Sequence, residues 1–349
     1  MPFTTGELNN IANAALDYHI KGPAFAQSIQ DKPLLKALEG SKKTFPGGKG
    51  NITIPVKGDY TTAIAGYTHN DSVSYANPAN IRRVTFPWRE IHAGITVTLT
   101  ELKNDGLSVV DSAQSKNVSE HSERELTVLT GLLEDKLDDM TEGWSRTFNN
   151  MLWRNGTQDA KQVPGLLSML TDTPAVGTTG GIDRATTTWW RHRALVGASK
   201  ITASTTNQTL SKALRSEIRQ LRRYAKNPNY LLLAGSGFLE ALEGEVAEKG
   251  YYSMTGFANN GKNDIGMADI SMRGVGSFVY DPTLDDLNLS KRCYFIDLNA
   301  IKLQVMEGED KKTHNPARPY DQYTLYRAMT WTGGLTVQQL NSSAVYEVA

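Results

Sequence analysis

The residues with most chemical reach in this 349-residue chain are few and scattered. Gly256-Phe-Ala-Asn-Asn-Gly261-Lys262-Asn263 nearly matches the phosphate-binding loop G-x-x-x-x-G-K-[ST]. Its last position is Asn263, which cannot supply the hydroxyl that binds magnesium. Residues 264–271 have no helical pattern, so the helix N-terminus that a phosphate needs is missing. Ser236 stands between Gly235 and Gly237 after a strand, where a nucleophile turn could lie. G-x-S-x-G is absent, however, and a Ser at this spot caps the following helix well. Cys293 is the sole cysteine, and its neighbours Tyr294, Phe295 and Ile296 make it part of a buried strand. One thiol excludes a disulfide framework and a CxxC zinc site, and suits a reducing compartment. The histidines, His19, His69, His92, His121, His192 and His314, show no i, i+4 pair and none stands beside the cysteine. No metal or cofactor is expected. An α/β enzyme acting on a nucleotide or small ester is the alternative reading, and residues 256–262 or Ser236 would have to carry it.

Two further groups have unusual surface chemistry. Lys212, Arg215, Arg219, Arg222, Arg223 and Lys226 form a basic stripe opposite the apolar face of one helix. It reads as a solvated face with Glu217 mixed in, next as a salt-bridging subunit interface, and last as a direct contact to DNA phosphates. No aromatics are interleaved to stack on bases. Gly180-Gly-Ile-Asp-Arg184 followed by Trp189-Trp190-Arg191 is the most unusual string. Tandem tryptophans are costly to expose, so they are core anchors or lie buried at an interface. Lys+Arg and Asp+Glu number 37 each, giving zero net charge. That balance argues against a dedicated nucleic-acid binder and permits self-assembly. There is no run of 18 apolar residues, no signal-peptide pattern and no fixed-period repeat.

The elements that position these residues begin with a long helix over residues 119–155. Leu126, Leu129, Leu133, Leu137, Met140, Trp144, Phe148 and Met151 recur at steps of three and four, so they share one stripe. The helix would be roughly 54 Å long and must run along something extended. Ser122 and Glu125 form a capping box, and Gly156 can take the left-handed terminating position. Glu134, Asp135, Asp138, Asp139 and Glu142 make its outer face acidic. Residues 1–50 read as an arm with two weak helices that must lie on another part of the chain or on a neighbour. Residues 51–103 alternate as strands around a polar middle, residues 59–80. A long projecting two-stranded hairpin would account for that middle, and it implies a partner surface. Helix 210–224, strand 230–234 and helix 238–249 make an α/β lobe. Strands follow at 277–280, 293–298 and 301–306. In the tail, Gly333-Gly334 reads as a hairpin turn between strands.

The string at residues 180–191, the order of parts and the tail from Cys293 onward resemble the major capsid proteins of tailed double-stranded DNA bacteriophages, with the HK97-type fold. The resemblance covers nearly the whole chain. It implies an α+β fold in five parts. These are an N-terminal arm (1–50), an extended β-hairpin loop (51–100), a peripheral domain (101–164) with spine helix 119–155, an α/β axial domain (165–290), and return strands (291–349). The implied protein is structural and non-enzymatic. Its hexamers and pentamers form an icosahedral shell around double-stranded DNA, without sequence-specific readout. It assembles in the host cytoplasm and resides in the virion. A separate scaffolding protein and a portal are the expected partners, a decoration protein is a further one, and no membrane is involved. Subunit contacts are expected at Lys57, Tyr60, Tyr67, Tyr75, Arg82, Arg83, Trp189, Trp190, Arg191, Arg219 and Arg223. Some relatives crosslink Lys to Asn, and Lys57 holds a suitable place in the loop. No partner Asn or activating Glu is identifiable, so crosslinking is not expected.

Overall fold

A computed structural model describes residues 30–58, 62, 64–73, 75, 80–98, 100, 123–225, 227–250, 271–272, 275–314 and 324–349. Expectations for the first arm helix, Tyr60, the capping box at Ser122, Lys226 and the string 256–263 lie outside these residues. In chain order the elements are α1 (Pro33–Gly40), β1 (Lys43–Phe45), β2 (Asn51–Lys57), β3 (Ile81–Pro87), β4 (Arg89–Thr98) and α2 (Glu123–Trp153). Next come α3 (Leu166–Met169), β5 (Thr178–Thr179), β6 (Ile182–Asp183), β7 (Arg193–Leu195), α4 (Thr209–Tyr224), β8 (Tyr230–Ala234) and α5 (Ser236–Gly250). The chain finishes with β9 (Ser271–Met272), β10 (Gly276–Tyr280), α6 (Pro282–Asp286), β11 (Arg292–Asp297), β12 (Ile301–Met306), β13 (Lys312–His314), β14 (Thr324–Val337) and β15 (Ala344–Glu347). No helix among the described residues is long and apolar enough to cross a membrane.

The chain divides into two compact units. One contains Ile91–Thr147 and Gly308–Trp331. Its part of β4 alternates as the sequence implies, with Ile91, Ala93 and Ile95 half-buried and His92 and Thr96 exposed. Its part of α2 buries Trp144 and exposes Asp138 and Asp139, in keeping with an apolar stripe and an acidic outer face. β13 pairs antiparallel with Ala328–Thr330 of β14, and the His314 ring lies 2.7 Å from the Thr330 hydroxyl.

The larger unit contains Asp31–Glu90, Phe148–Glu307 and Thr332–Ala349. Its centre is a six-stranded sheet in the order β7-β15-β11-β8-β10-β9. Helices α4 and α5 cover one face: Leu210, Leu214, Ile218, Leu221, Phe238 and Leu242 bury against Leu232, Phe278, Phe295 and Tyr346. Tyr294 points to the other face, where the last turn of α2 sets Trp153 against it edge-on at 5.0 Å. Covering on both faces explains why β11 reads as an unbroken apolar run with Cys293 inside it. Polar bonds fix the end of α2. Asn149 accepts from the Leu35 amide and donates to Thr283 Oγ1, and the Trp153 indole donates to Asp281, the buried N-cap of α6.

Several expectations change here. The long helix ends at Trp153, two residues early, because the chain turns back so that the Gly165 amide can donate to the Arg154 carbonyl at 2.8 Å. The projecting hairpin pairs only as far as Lys57↔Ile81 and Gly58–Asn80; beyond that, none of the described residues of 59–80 is in a strand. Gly333-Gly334 is not a turn, since β14 runs straight through it. A Cβ on Gly334 would lie 2.6 Å from the Pro87 carbonyl oxygen, so glycine is there to let another backbone cross. The turn that tandem glycines do make is Gly180-Gly181, with φ of +60° and +83°, between β5 and β6. Ser236 does not cap α5 from outside; it is the first helical residue, and its amide donates to the Asp285 carboxylate.

Candidate subunit-contact surfaces

The surface candidates begin at the β2–β3 stem. Its register sets Ile52 opposite Phe86, Ile54 opposite Val84 and Val56 opposite Arg82. Ile52, Val56, Val84 and Phe86 are buried, so one face of this two-stranded ribbon lies on the body of its unit. The β5–β6 turn holds it there. The Thr85 amide donates to the Gly180 carbonyl at 3.0 Å, and a Cβ on Gly180 would come within 3.0 Å of Val84 and of Phe86.

The tandem tryptophans take different roles. Trp190 is 1% exposed, and its indole N–H donates to the Thr179 carbonyl. As a contact candidate it is therefore corrected: it anchors the chain's own core and offers no surface to a neighbour. Trp189 is half-buried at the loop end of the stem, its ring edge-on to Trp190 with centroids 5.8 Å apart. The Arg82 guanidinium lies 6.0 Å over the Trp189 ring and donates to Thr187 Oγ1. Arg191 is turned inward, and its guanidinium donates to the carbonyls of Arg184 and Ala185 at 2.6 Å each.

Beyond that end, the described loop residues are exposed. Tyr67 is 74% exposed and Tyr75 94%, and Ile64 is fully exposed beside them in the loop. Lys57 and Arg83 are exposed on the stem. On α4, Lys212, Arg215, Arg219, Arg222 and Arg223 all face solvent, with Arg223 over the Tyr224 ring. Glu217 departs from the expectation of a solvated face. It flanks the apolar stripe of α4, is buried, and takes both arms of the Arg193 guanidinium. The hydrogen bond to Glu217 raises the Arg193 pKa, against the effect of burial. The charged residues of α4 that face solvent are thus all cations.

Sequence reasoning missed several fixing residues. Gly58 is one: a Cβ there would lie 2.8 Å from the Trp189 ring. Arg292 is another, with a bidentate pair to Asp172 and a bond to Glu347 that ties β11 and β15 to the loop after α3. A third is Glu245, whose carboxylate accepts from the amides of Ser204, Leu210 and Ser211. None follows a spacing rule, because each depends on a partner distant in sequence.

Two of the chemical candidates, Ser236 and Cys293, lie among the described residues. Ser236 is exposed, and burial pushes the Cys293 thiol well above its usual pKa. No group of three metal-ligating side chains occurs among the described residues.

No family model and no curated protein matches the sequence. Solved structures do match. The cyanophage A-1(L) capsid asymmetric unit aligns with TM-score 0.63 at 16% identity, covering 93% of this chain and 95% of that one. The capsid of an empty GTA particle aligns with TM-score 0.54 at 12% identity, covering 97% and 99%. The capsid of Myoviridae phage XM1 aligns with TM-score 0.53 at 10% identity, covering 100% and 99%. The chain has the HK97-type capsid fold. The α+β architecture is thus shared end to end with these capsid chains at identities of 16% or less. An enzyme reading finds no support in these matches. Within the capsid fold, the string at residues 180–191 is where the stem of the projecting loop meets the body of its unit.

Proposed function

We propose that this chain is the major capsid protein of a tailed double-stranded DNA phage. Its copies assemble as hexamers and pentamers into an icosahedral shell that encloses the genome, and its role is structural. The observation that carries this reading is a capsid fold matched along nearly the full chain. The projecting loop supports it, because Ile64, Tyr67 and Tyr75 stand in water on the isolated subunit. Large apolar side chains held out from a body in this way mark a surface that is covered in the working assembly. Burying a few hundred Å² there contributes several kcal/mol at about 25 cal/mol/Å² before ordering costs. A closed shell repeats that contact in every subunit and gains avidity.

The proposal divides the chain into an arm (1–50), an extended loop (51–100), a peripheral domain with its spine helix (101–164), an axial domain (165–290) and return strands (291–349). Tyr60, Tyr67, Tyr75 and Arg83 would touch neighbours through the loop, and Arg219 and Arg223 through α4. A scaffolding protein, a portal and a decoration protein are its proposed partners, and assembly takes place in the host cytoplasm. The genome is held without base readout, as zero net charge suits. Negative-stain microscopy of the purified chain, alone and with a candidate scaffolding protein, tests the reading. Closed shells, or rings of five and six, are expected. A monodisperse monomer or small dimer under both conditions would overturn it.

A further inference from the structure

We propose that Trp189 and Arg82 form a clasp that sets the direction in which the extended loop leaves the subunit, and that this direction governs which shell is built. The inference rests on the capsid reading and adds positioning residues to it. The buried face of the stem runs from Ile52–Phe86 through Ile54–Val84 to Val56–Arg82. Arg82 therefore ends the buried face, where an apolar residue would continue it. Its guanidinium closes over the Trp189 ring and reaches Thr187, while Gly58 on the facing strand passes so close to the same ring that no Cβ fits. Trp189 is thus gripped from both strands at the last point before the loop becomes exposed.

The neighbouring residues show why this is more than packing. Trp190 already anchors the string to the core, through burial and its bond to Thr179. Trp189 is left half-buried, braced edge-on by Trp190 and turned toward the stem. The rest of the attachment, the Gly180–Thr85 bond and the buried Val84 and Phe86, lies nearer the base of the ribbon. A two-stranded ribbon held only at its base can swing, and a second hold further out fixes its angle. Beside the buried Val56, that second hold is one cation–π contact and one hydrogen bond from the guanidinium to a hydroxyl, weak enough to exchange between discrete arrangements.

The test compares wild type with Trp189→Ala, Arg82→Gln and Trp189→Phe. In the unassembled subunit, amide exchange in β2 and β3 should accelerate at least tenfold in Trp189→Ala and Arg82→Gln. The unfolding midpoint of Arg82→Gln should stay within about 3 °C of wild type, because its side chain is exposed. Under assembly conditions both variants should give at least fivefold fewer closed shells of wild-type diameter, with open or aberrant particles instead. Trp189→Phe keeps a ring under Arg82 and should restore most of the yield. Wild-type shell yield and diameter in both Trp189→Ala and Arg82→Gln would overturn the clasp. A wild-type chain that forms no shells would count against the capsid reading instead, and stem exchange unchanged in both variants would overturn the clasp even then.

Discussion

His192 is 3% exposed and its ring has two unlike sides. Nε2 lies 2.6 Å from the Thr171 carbonyl, an acceptor, so Nε2 carries the proton in the neutral ring. Nδ1 has no hydrogen-bond partner among the described residues. Protonation would place a buried N–H there with nothing to accept it, next to the positive charge of Arg184. Burial, aided by Arg184 and opposed by Thr171 and Asp172, lowers the His192 pKa to about 4. An unfolded histidine titrates near 6.5. Between those two values the unfolded chain binds more protons, so stability rises with pH across the window and falls on acidification. The full effect is about 3 kcal/mol. The unfolding midpoint of the unassembled subunit should therefore drop between pH 6.5 and 4, and His192→Asn should flatten that slope. An equal slope in the variant would reject the assignment. Gly334 supports a second prediction at this scale. Gly334→Val sets a side chain against the Pro87 carbonyl and should cost roughly 2–4 kcal/mol in urea unfolding, whereas Gly50→Val, in open space and without a positive φ, should cost less.

Helix α4 shows how elements depend on distant residues. Its amides at Leu210 and Ser211 donate to the Glu245 carboxylate of α5, which also accepts from the Ser204 amide. Burial pushes the Glu245 pKa up, but the bonds from Ser211, Leu210 and Ser204 outweigh it and hold the carboxylate below its usual range. Glu245→Ala removes the cap and leaves inward-facing donors unpaired. It should cost about 2–4 kcal/mol, read by urea unfolding; a loss under 1 kcal/mol would deny Glu245 that role. The apolar face of α4 was legible in the sequence to within one residue, as were β8 and β12, because periodic burial writes itself into residue spacing. Glu217 and Glu245 were not, since a charge is buried only when donors arrive from elsewhere, here from Arg193 and from the start of α4. Two glycine pairs make the same point. Gly180-Gly181 turns the chain and Gly333-Gly334 lets a backbone cross, and no local signal separates the two uses. The tryptophans are likewise adjacent and alike in sequence, yet a single turn of 3₁₀ helix sends Trp190 into the core and leaves Trp189 at the stem.

At the scale of the whole molecule, folding and assembly draw on different parts of the chain. The sheet, α4 and α5 share a core to which Ile64, Tyr67 and Tyr75 contribute nothing. The stem is closed by the chain itself at Gly58–Asn80, at 2.8 Å, before the exposed loop begins. Replacing residues 60–78 by a short Asn-Gly turn should therefore leave the subunit folded. Shortening the loop about fivefold also lowers its closure cost by about 1.5 kcal/mol, so the truncated subunit should unfold at or above the wild-type midpoint. Shell formation should be lost nonetheless, because the apolar side chains that await a neighbour are gone. Calorimetry of the unassembled subunit and microscopy under assembly conditions give the two readings separately. A truncated chain that melts normally and builds closed shells would place the ties between subunits elsewhere, with the cationic face of α4 as the next surface to neutralise. A truncated chain that melts early would mean that the loop also serves the fold, contrary to its exposure.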